Sequence, residues 1–175
     1  MEEQNEKVTV KQVAIKWGLI LGIISVVLFL TIYFGGLTGN SWAGWIGPIF
    51  TIVIMYLAHK EFKEQGDGYM NYGQGLGLGT LVATVSSAIS SIFVYIYIKF
   101  INTEYTQEIQ DIMRSKFEDD GMSDDQIDAA MGFMEKLSSP EISLIVGILG
   151  GIFIGFIIAL IVSAITKKND PSLEV

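Results

Sequence analysis

The sequence predicts an all-α integral membrane protein with four transmembrane helices and an extracytoplasmic helical hairpin between spans three and four. The first observation is composition: 50% of the 175 residues are hydrophobic and only 17% are charged, whereas about a quarter of the residues in a soluble domain are charged. The second is that four apolar segments approach the ~20 residues that a helix needs to cross a bilayer. Because the rest of the chain is too short to cover four such segments, lipid must cover them.

The four segments differ in how they begin and in the charges that they carry. The first is charged only at Lys16, near its start, and the third and fourth carry no charge. Pro48 lies near the beginning of the second segment, where a missing backbone N–H matters least. In a single membrane domain of residues 1–175, we predict spans at about 14–34, 42–60, 73–98 and 142–166, between short tails at 1–12 and 167–175.

The distribution of lysine and arginine predicts the direction of the spans, because cytoplasmic connections carry an excess of these residues. With four spans, both tails and the loop between spans two and three lie on one side. Residues 99–141, on the other side, hold four basic residues against eleven acidic ones. Both termini are therefore predicted to be cytoplasmic. The lysines on that side are Lys7, Lys11, Lys16, Lys60, Lys63, Lys167 and Lys168.

Residues 102–141 predict two amphipathic helices that form a hairpin over the outer end of the bundle. Gly121 can end the first helix in a left-handed conformation, and Ser123 with Gln126 forms a capping-box pattern for the second. Pro140 is expected to end the second helix before span four. The acidic cluster in this loop lacks the alternating oxygen ligands of an EF-hand, so it predicts helix caps rather than a calcium site.

Residues 73–91, GQGLGLGTLVATVSSAISS, allow two interpretations. A phosphate-binding loop would require the pattern G-x-G-x-x-G, but Leu78 stands where the third glycine is needed, and no strand precedes the stretch. At a spacing of four residues, the same stretch forms a continuous line of small residues along one helix face. The sequence therefore favours a helix built for close contact over a nucleotide site.

Span four repeats this line of small residues. Between helices in lipid, close van der Waals contact must replace the hydrophobic effect, and small residues let two backbones approach. We expect the two lines to pack against each other in a right-handed crossing. The candidate contact residues are Gly75, Gly79, Ala83, Ser87 and Ser91 in span three, and Gly147, Gly151, Gly155, Ala159 and Ser163 in span four.

The hydroxyl side chains of span three, among them Thr84 and Ser87, have a second possible role in lining a polar path for a solute. Serine and threonine in membrane helices more often pack or bond to their own backbone. No span carries an ionisable residue at mid-depth, which coupled transporters usually have. His59 lies at the inner boundary and is expected to be an ordinary polar residue.

Residues that carry chemistry are scarce. The chain has no cysteine and a single histidine, which excludes thiolate sites and histidine clusters. No HExxH motif or activated nucleophile is present. We therefore predict a non-enzymatic structural or interaction protein with no catalytic, cofactor or metal site and no nucleic-acid partner, embedded in the lipid bilayer and associating with itself or other membrane proteins. The alternative is a small transporter or channel subunit that uses the hydroxyl-bearing face of span three.

Four stretches of the chain resemble a known family. They are AIKWGLILG at the start of span one, GDGYMNYGQGLGLG leading into span three, DDGMSDDQIDAAMGFMEKLSSPE in the long loop, and ALIVSAITKKND at the end of span four. Over nearly all of residues 10–169 the chain resembles the bacterial family of small membrane proteins called domain of unknown function 4199. The resemblance implies a fold and a place in the bacterial inner membrane, but no activity, substrate or site residue.

Overall fold

The computed structural model describes residues 8–171, and within them the chain forms six α-helices joined by short connections. The prediction of an all-helical chain is confirmed for these residues. Helices α1, α2, α3 with its extension, and α6 are each long and apolar enough to cross a membrane. The helices are α1 (Val10–Phe34), α2 (Ala43–Gln65), α3 (Tyr72–Ile96, extended by a π-helical turn at Tyr97–Ile101), α4 (Tyr105–Asp119), α5 (Asp124–Leu137) and α6 (Pro140–Thr166).

Side chains just before the helices fix where three of them begin. At the start of α1, α3 and α5 a Thr, Asn or Ser accepts a hydrogen bond from the backbone three residues later, and a Gln side chain bonds back. These capping boxes satisfy backbone donors that a helix leaves unpaired at its start. The predicted pair of Ser123 and Gln126 is confirmed, and so is the left-handed conformation of Gly121, at φ +75°.

Two prolines do not play the roles that the sequence suggested. Pro140 does not end α5, which stops at Leu137; it is the first residue of α6, where its fixed φ suits a helix start. Pro48 lies inside α2, beyond the first turn. It therefore leaves the carbonyl of Gly44 without the hydrogen bond that a helix would supply.

Helix α3 lies at the centre of the bundle, with its most extensive packing against α6 and α1. Along α1, Gly18 and Gly22 allow the approach: a Cβ atom on Gly18 would lie 2.6 Å from Cβ of Val85, and one on Gly22 would lie 2.9 Å from Cδ1 of Ile89. The contacts advance together along both helices, so α1 and α3 run parallel. Helix α6 runs antiparallel to both.

The bundle has two ends with different character. We call the end where α1 begins and α6 ends the terminal end, and the opposite end, where α4 and α5 lie, the loop end. The fully buried apolar side chains Met55, Leu78 and Val82 belong to a core on the terminal side of the bundle. The lysines used to predict orientation lie at the terminal end, except Lys7, which is outside the described residues, as are parts of the predicted tails 1–12 and 167–175.

Candidate functional site

The ten candidate contact residues of spans three and four lie in one interface between α3 and α6. They form five pairs in an antiparallel register, and each pair joins a glycine to a small side chain. Because both helices contribute every fourth residue, the contact continues over several turns. The pairs are Gly75 with Ser163, Gly79 with Ala159, Ala83 with Gly155, Ser87 with Gly151, and Ser91 with Gly147.

Distances in this α3–α6 interface show that the glycines are required. A Cβ atom added to Gly155 would lie 2.2 Å from Cβ of Ala83, and one added to Gly151 would lie 2.5 Å from Cβ of Ser87. Carbon atoms that are not bonded do not approach below 3.0 Å in real side-chain contacts. By contrast, Gly150 has nothing within 4 Å of the equivalent position. The interface positions therefore hold glycine because a larger residue would overlap the neighbouring helix.

Four hydroxyl groups along α3 donate hydrogen bonds within their own helix. Thr80 donates to the carbonyl of Leu76 at 2.7 Å, and Thr84 donates to that of Thr80 at 2.8 Å. Ser87 and Ser90 likewise donate to carbonyls within α3. This back-bonding, which the sequence favoured, leaves them without hydrogen bonds to α6. The interface is thus held by close backbone approach.

Ser163, on the α6 side of the interface, makes no such bond. Its side chain is fully buried, and its Oγ atom has no hydrogen-bond partner among the described residues. The Oγ atom lies 3.1 Å from the Cβ position of Gly75. An unpaired buried hydroxyl costs stability, so Ser163 is a weak point of the interface.

A cavity of about 190 Å³ lies between the four long helices, from mid-bundle towards the loop end. Hydroxyls from three helices line it: Ser25 of α1, Thr51 of α2, and Ser86, Ser87 and Ser90 of α3. The side chain of Ser86 is only 6% exposed. We call this space the bundle cavity; it exists because the first half of α2, which contains Pro48, does not close against α3 and α6.

The bundle cavity does not continue to the terminal end. Met55 lies across the α3–α6 interface, with its Sδ atom 3.4 Å from the Cβ position of Gly79 and its Cε atom 3.8 Å from that of Gly155. Beyond it, Leu78 is fully buried. Ser86, Ser87 and Ser90 of span three therefore border a cavity that Met55 closes towards the terminal end.

His59 connects three helices at the terminal end. Its Nε2 atom lies 3.0 Å from the carbonyl oxygen of Gly75 in α3, and its Nδ1 atom lies 2.7 Å from Oγ1 of Thr166 in α6. A carbonyl only accepts, so Nε2 carries the hydrogen. The side chain is fully buried, and its two hydrogen bonds make it a link between α2, α3 and α6. Its partners come from distant parts of the chain, so sequence spacing gave no sign of them.

Glu61 provides a second polar link at this end, between α2 and α1. Its carboxylate accepts hydrogen bonds from the ammonium of Lys16 at 2.7 Å and from the indole N–H of Trp17 at 3.0 Å. Together with His59, this carboxylate fixes the second half of α2 to the rest of the bundle. The first half of α2 has no equivalent links among the described residues.

An aromatic cluster at the loop end attaches α4 to the bundle. The ring of Tyr105 lies 5.6 Å from that of Phe29, 5.1 Å from Tyr33 and 5.9 Å from Tyr97, measured between centroids. Burial raises the pKa of the Tyr105 phenol above its usual value. Tyr105 is the first residue of α4. One turn further along this helix, the carboxylate of Glu108 accepts a hydrogen bond from the hydroxyl of Tyr33. Helix α4 is therefore fixed by rings and by one charged acceptor.

Sequence and structure agree on the interface but differ on the cavity. All ten candidate contact residues are brought together, whereas Ser25 and Thr51 were not singled out, because they come from helices that show no hydroxyl-rich pattern. Within residues 8–171 no three acidic or histidine side chains group in a way that could hold a metal ion.

The family comparison covers most of the chain. The family model described as "Protein of unknown function (DUF4199)" matches residues 16–168, which include α2, α3 and α6 in full and α1 from Lys16 onwards. No curated protein and no solved structure matched the chain. The match extends over most of the 175 residues. The chain belongs to the DUF4199 family.

Proposed function

We propose that this protein is a multi-pass, non-enzymatic structural or interaction protein of the bacterial inner membrane. The observation that carries the proposal is an inverted relation between apolarity and burial. Helix α6 is the most apolar of the four, yet only 22% of its most apolar window is buried; the less apolar α3 reaches 39%. In water the most apolar helix would be the most buried, so the outward faces require lipid.

The charge distribution supports an orientation with both termini in the cytoplasm. Lysines concentrate at the terminal end, and acidic residues predominate in α4 and α5 at the loop end. The excess of lysine marks the cytoplasmic side of an inner-membrane protein. In this orientation α4 and α5 lie on the outer surface.

The arrangement of the helices supports a role in association rather than in chemistry. The small-residue lines of α3 and α6 are occupied by each other, so a partner would bind elsewhere. Helix α2 offers an open surface near the loop end: Trp45 is 69% exposed and Ile49 57%. Aromatic residues at the membrane boundary and large apolar residues below them suit contact with another membrane helix.

Membrane integration is tested by fractionation. We expect the chain to stay in the membrane pellet after an alkaline carbonate wash and to leave it only in detergent. Folded protein that is soluble without detergent would overturn the proposal.

Association is tested by site-specific photocrosslinking in native membranes. We expect a photoreactive amino acid at Trp45 to give protein adducts, and one at the buried Leu78 to give none beyond the chain itself. If outward positions on α1, α2 and α6 give only lipid adducts, the interaction role is wrong.

A second candidate function, a small transporter or channel subunit, is favoured by the bundle cavity alone. Ser86 lines this cavity and is 6% exposed. The chain has no native cysteine, so Ser86→Cys can be compared directly with Val82→Cys in the apolar core. Labelling of the first and not the second by a polar thiol reagent supports a solute-accessible cavity; equal protection of both counts against one.

A further inference from the structure

We infer that the terminal end carries a binding site for the headgroup of an anionic phospholipid, held by Lys60, Lys63 and Lys168. These residues, with Glu64 and Gly68, line an open pocket of about 350 Å³ where α2 and α6 end. We call it the lysine pocket. The inference rests on the proposed membrane location, which places this pocket at the level of the headgroups of the inner leaflet.

The pocket is positive although the whole chain is acidic, with a net charge of −8. Three lysines and one glutamate, Glu64, line it, and Asp67 and Asp170 line the neighbouring pocket together with Lys168. The ammonium of Lys60 is 3.8 Å from the carboxylate of Glu64, and both side chains are largely exposed, so the pair is weak. Within the lysine pocket, lysines therefore outnumber carboxylates by three to one.

Two of the three lysines are held in place before any ligand binds. The ammonium of Lys63 donates to the last carbonyl of α6, that of Thr166, at 2.8 Å. The backbone of Lys168 is paired with Met70 by two hydrogen bonds of 2.8 and 2.9 Å. The ammonium of Lys168 lies 5.3 Å from the centre of the Tyr69 ring. Preorganisation of this kind lowers the entropic cost of binding.

Exposed apolar residues on both helices lead away from the lysine pocket towards the membrane interior. On α2, Tyr56 and Ile52 lie one and two turns from Lys60 on the same face, and are 52% and 46% exposed. On α6, Ile165 and Ile161 are 75% and 59% exposed. Acyl chains can lie along these residues while the phosphate binds the lysines. A free phosphate would gain nothing from this surface, so the geometry favours a lipid.

The test compares lipids added to the full-length protein in a neutral detergent. We expect phosphatidylglycerol to raise the midpoint of thermal unfolding more than phosphatidylcholine does, and to remain bound in native mass spectrometry. Inorganic phosphate is expected to have no effect. Equal effects of the two lipids would overturn the inference, and an effect of inorganic phosphate equal to that of phosphatidylglycerol would overturn the assignment to a lipid.

The variant Lys60→Gln with Lys168→Gln should weaken phosphatidylglycerol binding by roughly fivefold for each lysine removed. The matched control is Lys116→Gln with Lys136→Gln, which removes two lysines from α4 and α5 and should bind as the natural protein does. Lys63 stays intact because it pairs with α6. If the first variant unfolds, Lys60→Gln alone is measured; unchanged binding there contradicts the inference. A chain that needs no detergent would instead contradict the proposed function.

Discussion

Gly155 and Ala83 show how little space separates α3 from α6. In each of the five pairs one residue has a small side chain and the other is a glycine. The glycine is on α3 in two pairs and on α6 in three. The interface therefore limits the combined size of the two side chains in a pair, and does not require the glycine to be on a particular helix. This distinction can be measured by exchanging the members of a pair.

We predict that Gly155→Ala costs about 1–3 kcal/mol of stability, because its Cβ would overlap that of Ala83. The single change Ala83→Gly should cost about 1 kcal/mol through lost contact and helix propensity. The double variant should recover most of both losses, which gives a coupling energy of at least about 1 kcal/mol. Thermal unfolding in detergent measures all three.

The control for this exchange is Gly150→Ala, on the same helix but with nothing within 4 Å of its Cβ position. It should be neutral or slightly stabilising, since alanine favours a helix more than glycine does. Losses in the double variant that equal the sum of the single losses would show that the two residues do not depend on each other.

The same residues show what a sequence can and cannot predict at this scale. Spacing of four along a helix predicts a shared face, so both lines of small residues could be found in advance. His59 could not be placed in this way, because its partners Gly75 and Thr166 are 16 and 107 residues away. Only the packing of three helices brings these groups together.

At the scale of elements, the polar links of α2 to other helices lie in its second half, and the aromatic contacts of α4 lie at its start. Helix α2 is tied at the terminal end by His59 and Glu61, and its first half, with Pro48, borders the bundle cavity. Helix α4 is tied at its start, where Tyr105 meets the aromatic cluster. The sequence predicted both helices, but the points of attachment depend on contacts between helices that no periodicity encodes.

We predict that Tyr33→Phe loosens α4 without unfolding the bundle. The phenol donates to Glu108 and accepts from Nδ2 of Asn102 at 2.6 Å, so its loss leaves both groups without this partner. A hydrogen bond to a charged group is stronger than one between neutral groups. Hydrogen exchange in detergent should become faster across Tyr105–Asp119 and stay unchanged in α3.

Tyr56→Phe is the matched control, since this tyrosine is 52% exposed on the outward face of α2. It should leave exchange in α4 unchanged. Slower or equal exchange of α4 in the Tyr33 variant would mean that ring packing alone attaches this helix.

For the molecule as a whole, apolar length predicted the number of long helices but not their order in space. Four segments near the length of a bilayer span could be counted from the sequence. The central place of α3 depends on close approach from two sides, through Gly18 and Gly22 of α1 and through the small residues of α6. A single glycine pair in α1 is too common a pattern to have predicted that contact.

The orientation of the whole molecule gives the last prediction, which follows from the separation of its charges. The cysteine-free chain allows single substitutions as reporters: Asp120→Cys between α4 and α5, and Lys167→Cys after α6. A thiol reagent that does not cross the inner membrane should label Asp120→Cys in cells with a permeable outer layer, and Lys167→Cys only after the inner membrane is opened. The reverse pattern would leave four spans but invert them, and would place the lysine pocket in the outer leaflet. Only α6 can place the two positions on opposite sides of the membrane. Labelling of both from one side would therefore show that α6 does not cross the membrane, and the four-span topology would be wrong.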